Sequence, residues 1–243
     1  MTADAMLELE QISAAYGPFR ALFDVNLAVP ANSAVALVGP NGAGKTTVAR
    51  VCSGLLAPTS GTVRLDGQDV TGLPAYELAR RGVAHANEGR SVFASLTVEE
   101  NLTLTFRQAF GRSGVAAALD RAYELFSRLR ERRQQFAGSL SGGEQRMLAL
   151  ARVVVLEPAV LIADELSLGL APTVAQEVYR VLDKVRAAGT SVVIVEQHLD
   201  RALAFADRAI VLDTGEVVWE GPSAELDSDQ AAAFLAGPTA TAG

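Results

Sequence analysis

Apolar and polar residues alternate along Leu7-Glu8-Leu9-Glu10, the period of a strand with one buried face. A second strand is expected over Ala21 to Val29, with Gly17-Pro18 turning the chain between the two. Ala34-Val35-Ala36-Leu37-Val38 departs from alternation and runs apolar without a break until glycine. Val160-Leu161-Ile162-Ala163 and Ser191-Val192-Val193-Ile194-Val195 behave the same way. Such runs suit strands covered on both faces, as in a parallel sheet. Each stops at groups able to do chemistry: Gly39, Asp164-Glu165, and Glu196-Gln197-His198. Ligands of open α/β sheets sit beyond the carboxyl ends of the strands, so these ends should converge on one site.

Between about 87 and 155 the period changes to that of helices. Thr97 and Glu100 have the spacing of a capping box ahead of Leu102. Leu119, Tyr123, Phe126 and Leu129 predict a helix over Leu119 to Arg133, with a loop over Gly111 to Gly114 before it. This stretch reads as a helical subdomain inserted into a sheet domain. Ala209 to Leu212 and Glu216 to Trp219, joined at Asp213-Thr214-Gly215, predict a hairpin, and Gly237 to Gly243 a disordered tail. The class is α/β: one domain over 1–243, with a mainly parallel core, an N-terminal antiparallel β subdomain and the helical insertion.

Composition narrows the function more than the fold. The 243 residues carry 21 basic and 28 acidic side chains, a formal net charge of −7, and nothing forms the basic stripe that grips nucleic acid. Arg128 to Arg133 contains Glu131 and reads as a solvated helical face. The one cysteine, Cys52, allows no internal disulfide and should pack as a small apolar residue. Met1 to Glu10 carries acids where a signal peptide would be basic and then apolar. The longest uncharged run, Val25 to Gly44, is broken by proline and glycine, so a membrane role would be peripheral.

Gly39-Pro40-Asn41-Gly42-Ala43-Gly44-Lys45-Thr46 fits GxxxxGK[ST], with an apolar strand before it and a helix, Thr47 to Gly54, after it. Its glycines let backbone N–H groups turn inward around the β- and γ-phosphates of a nucleoside triphosphate. Lys45 would reach the same oxygens and Thr46 would ligate Mg²⁺. Asp164 is placed to bind that ion through water, and Glu165 to take a proton from an attacking water. Ser141-Gly142-Gly143-Glu144 offers a hydroxyl and unhindered N–H groups at the start of a helix running to Arg152, a second anion-binding terminus.

Leu140-Ser141-Gly142-Gly143-Glu144-Gln145 resembles the signature of ABC-type ATPases. Tyr16, the phosphate loop, Glu88, the signature, Asp164-Glu165 and His198 stand in that family's order over nearly the whole chain. The resemblance is closest to the ATPase subunits of branched-chain amino acid importers. It is carried by Gly72-Leu73-Pro74, Arg80 to His85, Glu88-Gly89-Arg90, Leu96 to Leu102, Ser167-Leu168-Gly169-Leu170-Ala171-Pro172 and Val195-Glu196-Gln197.

The resemblance implies a P-loop NTPase fold of the ABC type and a peripheral subunit at the cytoplasmic face of a membrane. It implies hydrolysis of ATP with Mg²⁺. A second ATPase subunit, this chain or a paralogue, would be its partner, together with permease subunits and, indirectly, a substrate-binding protein. Tyr16 would stack on adenine. Glu88 would sense the metal and nucleotide beside the permease's docking groove, and His198 would contact the γ-phosphate. Ser141, Gly142, Gly143 and Glu144 would serve the partner's ATP. His85 reads as a packing or hydrogen-bonding residue. Leu166 and Asn87 stand where the family usually has proline, and His198 where the branched-chain group often has asparagine. Importers of urea, amides or other amino acids remain open as alternatives, as does a soluble ABC ATPase.

Overall fold

A computed structural model describes residues 5–86, 92–196, 199–226 and 234. Two sheets carry the chain. Strands β1 (Ala5–Tyr16), β2 (Phe19–Pro30), β4 (Ser60–Leu65) and β5 (Gln68–Asp69) form an antiparallel sheet in the order β2-β1-β4-β5. The second sheet, six-stranded, has the order β10-β9-β3-β8-β7-β6. Its members are β3 (Ala34–Val38), β6 (Val83–Ala86), β7 (Val160–Asp164), β8 (Ser191–Val195), β9 (Arg208–Asp213) and β10 (Glu216–Pro222). All its pairings are parallel except the terminal β9–β10 hairpin.

Every residue of β3, β7 and β8 is buried, because both faces of the sheet are covered. On one face Val35, Leu37, Ile162, Val193 and Val195 pack with the antiparallel sheet and helix α1 (Lys45–Cys52). On the other, Ala36, Leu161, Ala163 and Ile194 pack with the helices. The alternate residues of one apolar run thus serve two cores, which is why no polar position interrupts it. Cys52 is fully buried in the first core, as its apolar reading required.

Helix α2 (Ala75–Arg80) precedes β6. Helices α3 (Val98–Leu125), α4 (Ser127–Glu131) and α5 (Gly142–Val154) follow it and share the core of Phe106, Phe126, Leu129 and Leu148. Thr97 caps α3 with the expected box: its hydroxyl accepts from Glu100 N at 3.1 Å, and Glu100 accepts from Thr97 N at 2.7 Å. Two details differ from expectation. The loop over Gly111 to Gly114 is a single-residue kink at Gly111 (φ 68°, ψ −176°), with helix on both sides. The helix over Leu119 to Arg133 is broken at Phe126 (φ −130°, ψ 80°), whose ring is fully buried. Burial of that ring holds the backbone out of helical geometry where the apolar period alone continues. Helices α6 (Pro172–Ala187) and α7 (Leu199–Phe205) flank β8.

Candidate active site

Parallel β3, β8 and β7 lie side by side, so Gly39, Glu196 and Asp164-Glu165 emerge at one edge of the sheet. Immediately after β3 the chain must turn tightly beneath the β9–β10 hairpin. A Cβ on Gly39 would stand 2.1 Å from the carbonyl oxygen of Leu212, so only glycine fits. Gly44, at φ 104°, is the N-cap of α1 and supplies no side-chain cap. The first N–H groups of that helix therefore remain for another acceptor, at the end where the helix dipole favours anions.

Lys45 folds back over the loop, its Nζ donating to Gly39 O and Pro40 O at 2.9 Å each. Burial holds its ammonium below the usual lysine range, while Glu165 and then Asp164 act in the opposite direction. A cleft of ≈ 450 Å³ opens here, lined by Asn41, Gly42, Gly44, Lys45, Thr46, Thr47 and Glu165. Arg20, Ala21, Phe23 and Thr214 complete its wall. These four come from β2 and the β9–β10 turn, and no sequence motif marks them. Arg20 lies 4.6 Å from the ring centre of Phe23 and donates to Ser13 Oγ at 3.0 Å.

Asp164 is buried, and among the described residues its Oδ1 has no hydrogen-bond partner. Its Oδ2 lies 3.8 Å from His85 Nε2, while His85 Nδ1 is 2.9 Å from Ser53 Oγ at the end of α1. His85 therefore packs and hydrogen-bonds as the sequence suggested, against the back of Asp164. Glu165 adopts φ 52°, a conformation disfavoured for a side-chain-bearing residue and concentrated at functional sites. Its N–H donates to Val195 O at 2.9 Å, which ties the turn to the neighbouring strand.

The donors suit Mg²⁺: a buried carboxylate oxygen lacking a partner, and a threonine hydroxyl at the mouth of a phosphate loop. Among the described residues no three acidic, His or Cys side chains gather to hold a metal by themselves. The ion would have to share its shell with phosphate oxygens, as magnesium in such sites does.

Ser141 (φ −60°, ψ 157°) caps α5, and its box is closed from both sides. Glu144 Oε2 accepts from Ser141 N at 2.9 Å and from Ser141 Oγ at 2.8 Å, and Glu144 Oε1 meets Arg132 Nε at 2.6 Å. Burial pushes the Glu144 carboxyl up, but Ser141 and Arg132 together hold it below its ordinary range. Gly143 is in close contact with α6, since a Cβ there would meet Val174 Cγ1 at 3.0 Å. Gly142 is exposed, and a Cβ there would meet nothing within 4 Å.

The Lys45 cleft is not lined by any signature residue. Nor is it lined by Tyr16, whose hydroxyl accepts from Arg50 Nη1 at 3.1 Å beside α1. Glu88 and His198 lie outside the described residues.

A phosphate loop between a parallel strand and a helix, with an acidic pair ending another parallel strand of the same sheet, defines a P-loop nucleoside triphosphatase. The chain belongs to the ABC transporter family, whose profile matches residues 22–167, and it is an ATP-hydrolysing subunit of a transporter. It is similar to the high-affinity branched-chain amino acid transport ATP-binding protein BraG of Pseudomonas aeruginosa: 41% identical, over 91% of this chain and 94% of BraG. The probable branched-chain amino acid transport ATP-binding protein LivF of Archaeoglobus fulgidus is 37% identical, with the same two coverages of 91% and 94%. The lipopolysaccharide export ATP-binding protein LptB of Escherichia coli is 31% identical over 93% of this chain and 94% of LptB. Among solved structures, a dimeric ATP-binding cassette with ADP and phosphate bound superposes with a TM-score of 0.80. It is 26% identical, over 90% of this chain and 99% of its own.

Proposed function

We propose that this chain energises an importer of branched-chain amino acids, working as one of two ATPase subunits that close face to face over ATP. The observation that carries the paired arrangement is the separation of two anion-binding helix ends within one chain. One, at α1, lies beside Lys45, Asp164 and Glu165, while the other, at Ser141, lies outside that cleft. Gly142 fits the same reading, because nothing in its own chain needs the space its missing side chain leaves. The dimeric relative with ADP and phosphate supports it further.

In this mechanism the loop from Gly39 to Thr46, continued by Thr47, holds the β- and γ-phosphates through backbone N–H groups. Lys45 exchanges its two carbonyl acceptors for phosphate oxygens. Mg²⁺, held by Thr46 and Asp164, would neutralise charge on those oxygens. Glu165 accepts the proton of a water that attacks the γ-phosphorus as ADP leaves. Tyr16 stacks on the adenine, and Glu88 and His198 act as the family resemblance implies. Ser141, Gly142, Gly143 and Glu144 cover the γ-phosphate held by a second copy or a paralogue. The helical subdomain of α3 to α5 passes closure to permease subunits, which a binding protein supplies with cargo. No described helix is long and apolar enough to cross a membrane. The similarity to transport ATP-binding proteins supports a place at the cytoplasmic face, held by those permeases.

The test is Glu165→Gln. ATP binding should be kept, turnover should fall by roughly 10²–10⁴-fold, and an ATP-dependent dimer should accumulate. Unchanged steady-state hydrolysis would remove Glu165 from the mechanism. The cargo rests on the similarity to BraG and LivF. The match to LptB keeps a second reading, the same ATPase with another cargo, including urea or amides. Stimulation of hydrolysis by leucine in a reconstituted complex of permease and binding protein separates the two.

A further inference from the structure

Glu144 sets a problem for the helix end it caps. The reading above sends an oxyanion to Ser141, yet the Ser141 hydroxyl donates at 2.8 Å to a carboxylate. A phosphate oxygen taking that proton would stand one further hydrogen bond away, about 2.7 Å from Ser141 Oγ. Phosphate and carboxylate would then lie within about 5.5 Å of each other, the sum of those two bonds. Burial of Glu144, whose side chain is 11% exposed, limits screening of the repulsion by water.

Arg132 occupies the other oxygen of that carboxylate, Nε to Oε1 at 2.6 Å. It is held there: Nη1 donates to Gln135 Oε1 at 3.0 Å, and Gln135 Nε2 donates to Ser139 Oγ at 3.1 Å. The ion pair leaves Ser141 and the open face of Gly142 uncovered.

We propose that Arg132 is a positioning residue of the signature, neutralising Glu144 so that α5 can receive the γ-phosphate held by a second copy of this chain. The inference rests on the face-to-face reading above. It assigns Arg132 no contact with the nucleotide; the residue acts through Glu144.

The experiment uses the full chain with Glu165→Gln, and follows ATP-dependent dimerisation by sedimentation and nucleotide affinity of the monomer with a fluorescent ATP analogue. Adding Arg132→Gln should raise the dimer dissociation constant roughly tenfold, with monomer affinity and melting temperature little changed. Adding Glu144→Gln as well should restore dimerisation, because glutamine still closes the capping box and brings no charge. A residue that only braced the loop would not be rescued this way. Glu144→Gln without the arginine change should tighten the dimer, a test that stands even if Arg132→Gln fails to fold. Equal dimerisation with and without Arg132, or no rescue, or a weaker dimer with Glu144→Gln, overturns the inference. Failure of Glu165→Gln itself to dimerise with ATP overturns the two-copy reading, and the inference falls with it.

Discussion

Gly142→Ala should make the protein slightly more stable and much less active. Gly142 is the first residue of α5 and its φ is not positive, so alanine fits its backbone without strain. A Cβ there would meet nothing within 4 Å in its own chain. Replacing glycine at such a position stabilises by about 0.5 kcal/mol, chiefly by restricting the unfolded chain. For a chain of this length that is a rise of roughly 1–2 °C in melting temperature. The same methyl group projects into the space through which a second subunit's ATP must approach. ATP turnover should therefore fall at least about tenfold, the rate equivalent of 1.4 kcal/mol, while monomer affinity for ATP holds. Gly143 makes a poor substitute for this test, since its Cβ would press on Val174 at 3.0 Å and mix the two causes. Calorimetry, phosphate release at saturating ATP and nucleotide titration of the monomer give the three readouts. Wild-type turnover in a variant of equal or higher stability would show that nothing approaches Gly142, and the paired-site mechanism would lose its steric support.

Two further predictions concern the cores. Burial pushes the Cys52 thiol up to about 12, so it should stay unlabelled by a disulfide reagent at pH 8 and react only as guanidinium unfolds the chain. Labelling of the native protein within minutes would contradict that placement. Phe106→Ala removes a fully buried ring between the helices, at a cost of about 3–5 kcal/mol. The melting temperature should drop by on the order of 10 °C, and a drop under about 3 °C would show that the helical core is looser than its packing implies.

The parts of the fold that were legible in the sequence are those whose cause is local. Ala34–Val38 and Ser191–Val195 become strands residue for residue because continuous apolar runs have only one way to be buried on two faces. The two capping boxes, at Thr97 and Ser141, form because their partners lie three residues away. What escaped depends on distant neighbours. The break at Phe126 follows from where its ring packs, and Gly111 bends a helix whose hydrogen bonds resume at once. Arg20, Phe23 and Thr214 reach the cleft through the register of other strands. Arg132 read as one cation on a solvated helical face, since nothing in the order of residues announces that it meets Glu144 across the turn from α4 to α5.

Contacts on the far side of the signature bring its helix to the loop that carries Glu165. Arg146, on α5 and immediately after the signature, donates from Nη1 to the carbonyl oxygens of both Leu166 and Leu168. Ser167 N donates to Glu196 Oε1 at 3.1 Å, and Leu166 is buried in the core. Leu166 stands where proline would limit the backbone; here an arginine, a glutamate and an apolar contact restrain the same residues from outside. The restraint differs in kind, because proline acts within one residue whereas Arg146 ties that loop to α5. Gly143, packed on Val174 of α6, adds a second tie between the same two regions. The carboxylate beside a chain's own phosphate loop and the helix end it presents outward are therefore parts of one packed unit. A displacement of either helix end or loop must stretch the Arg146 bonds or move the other with it.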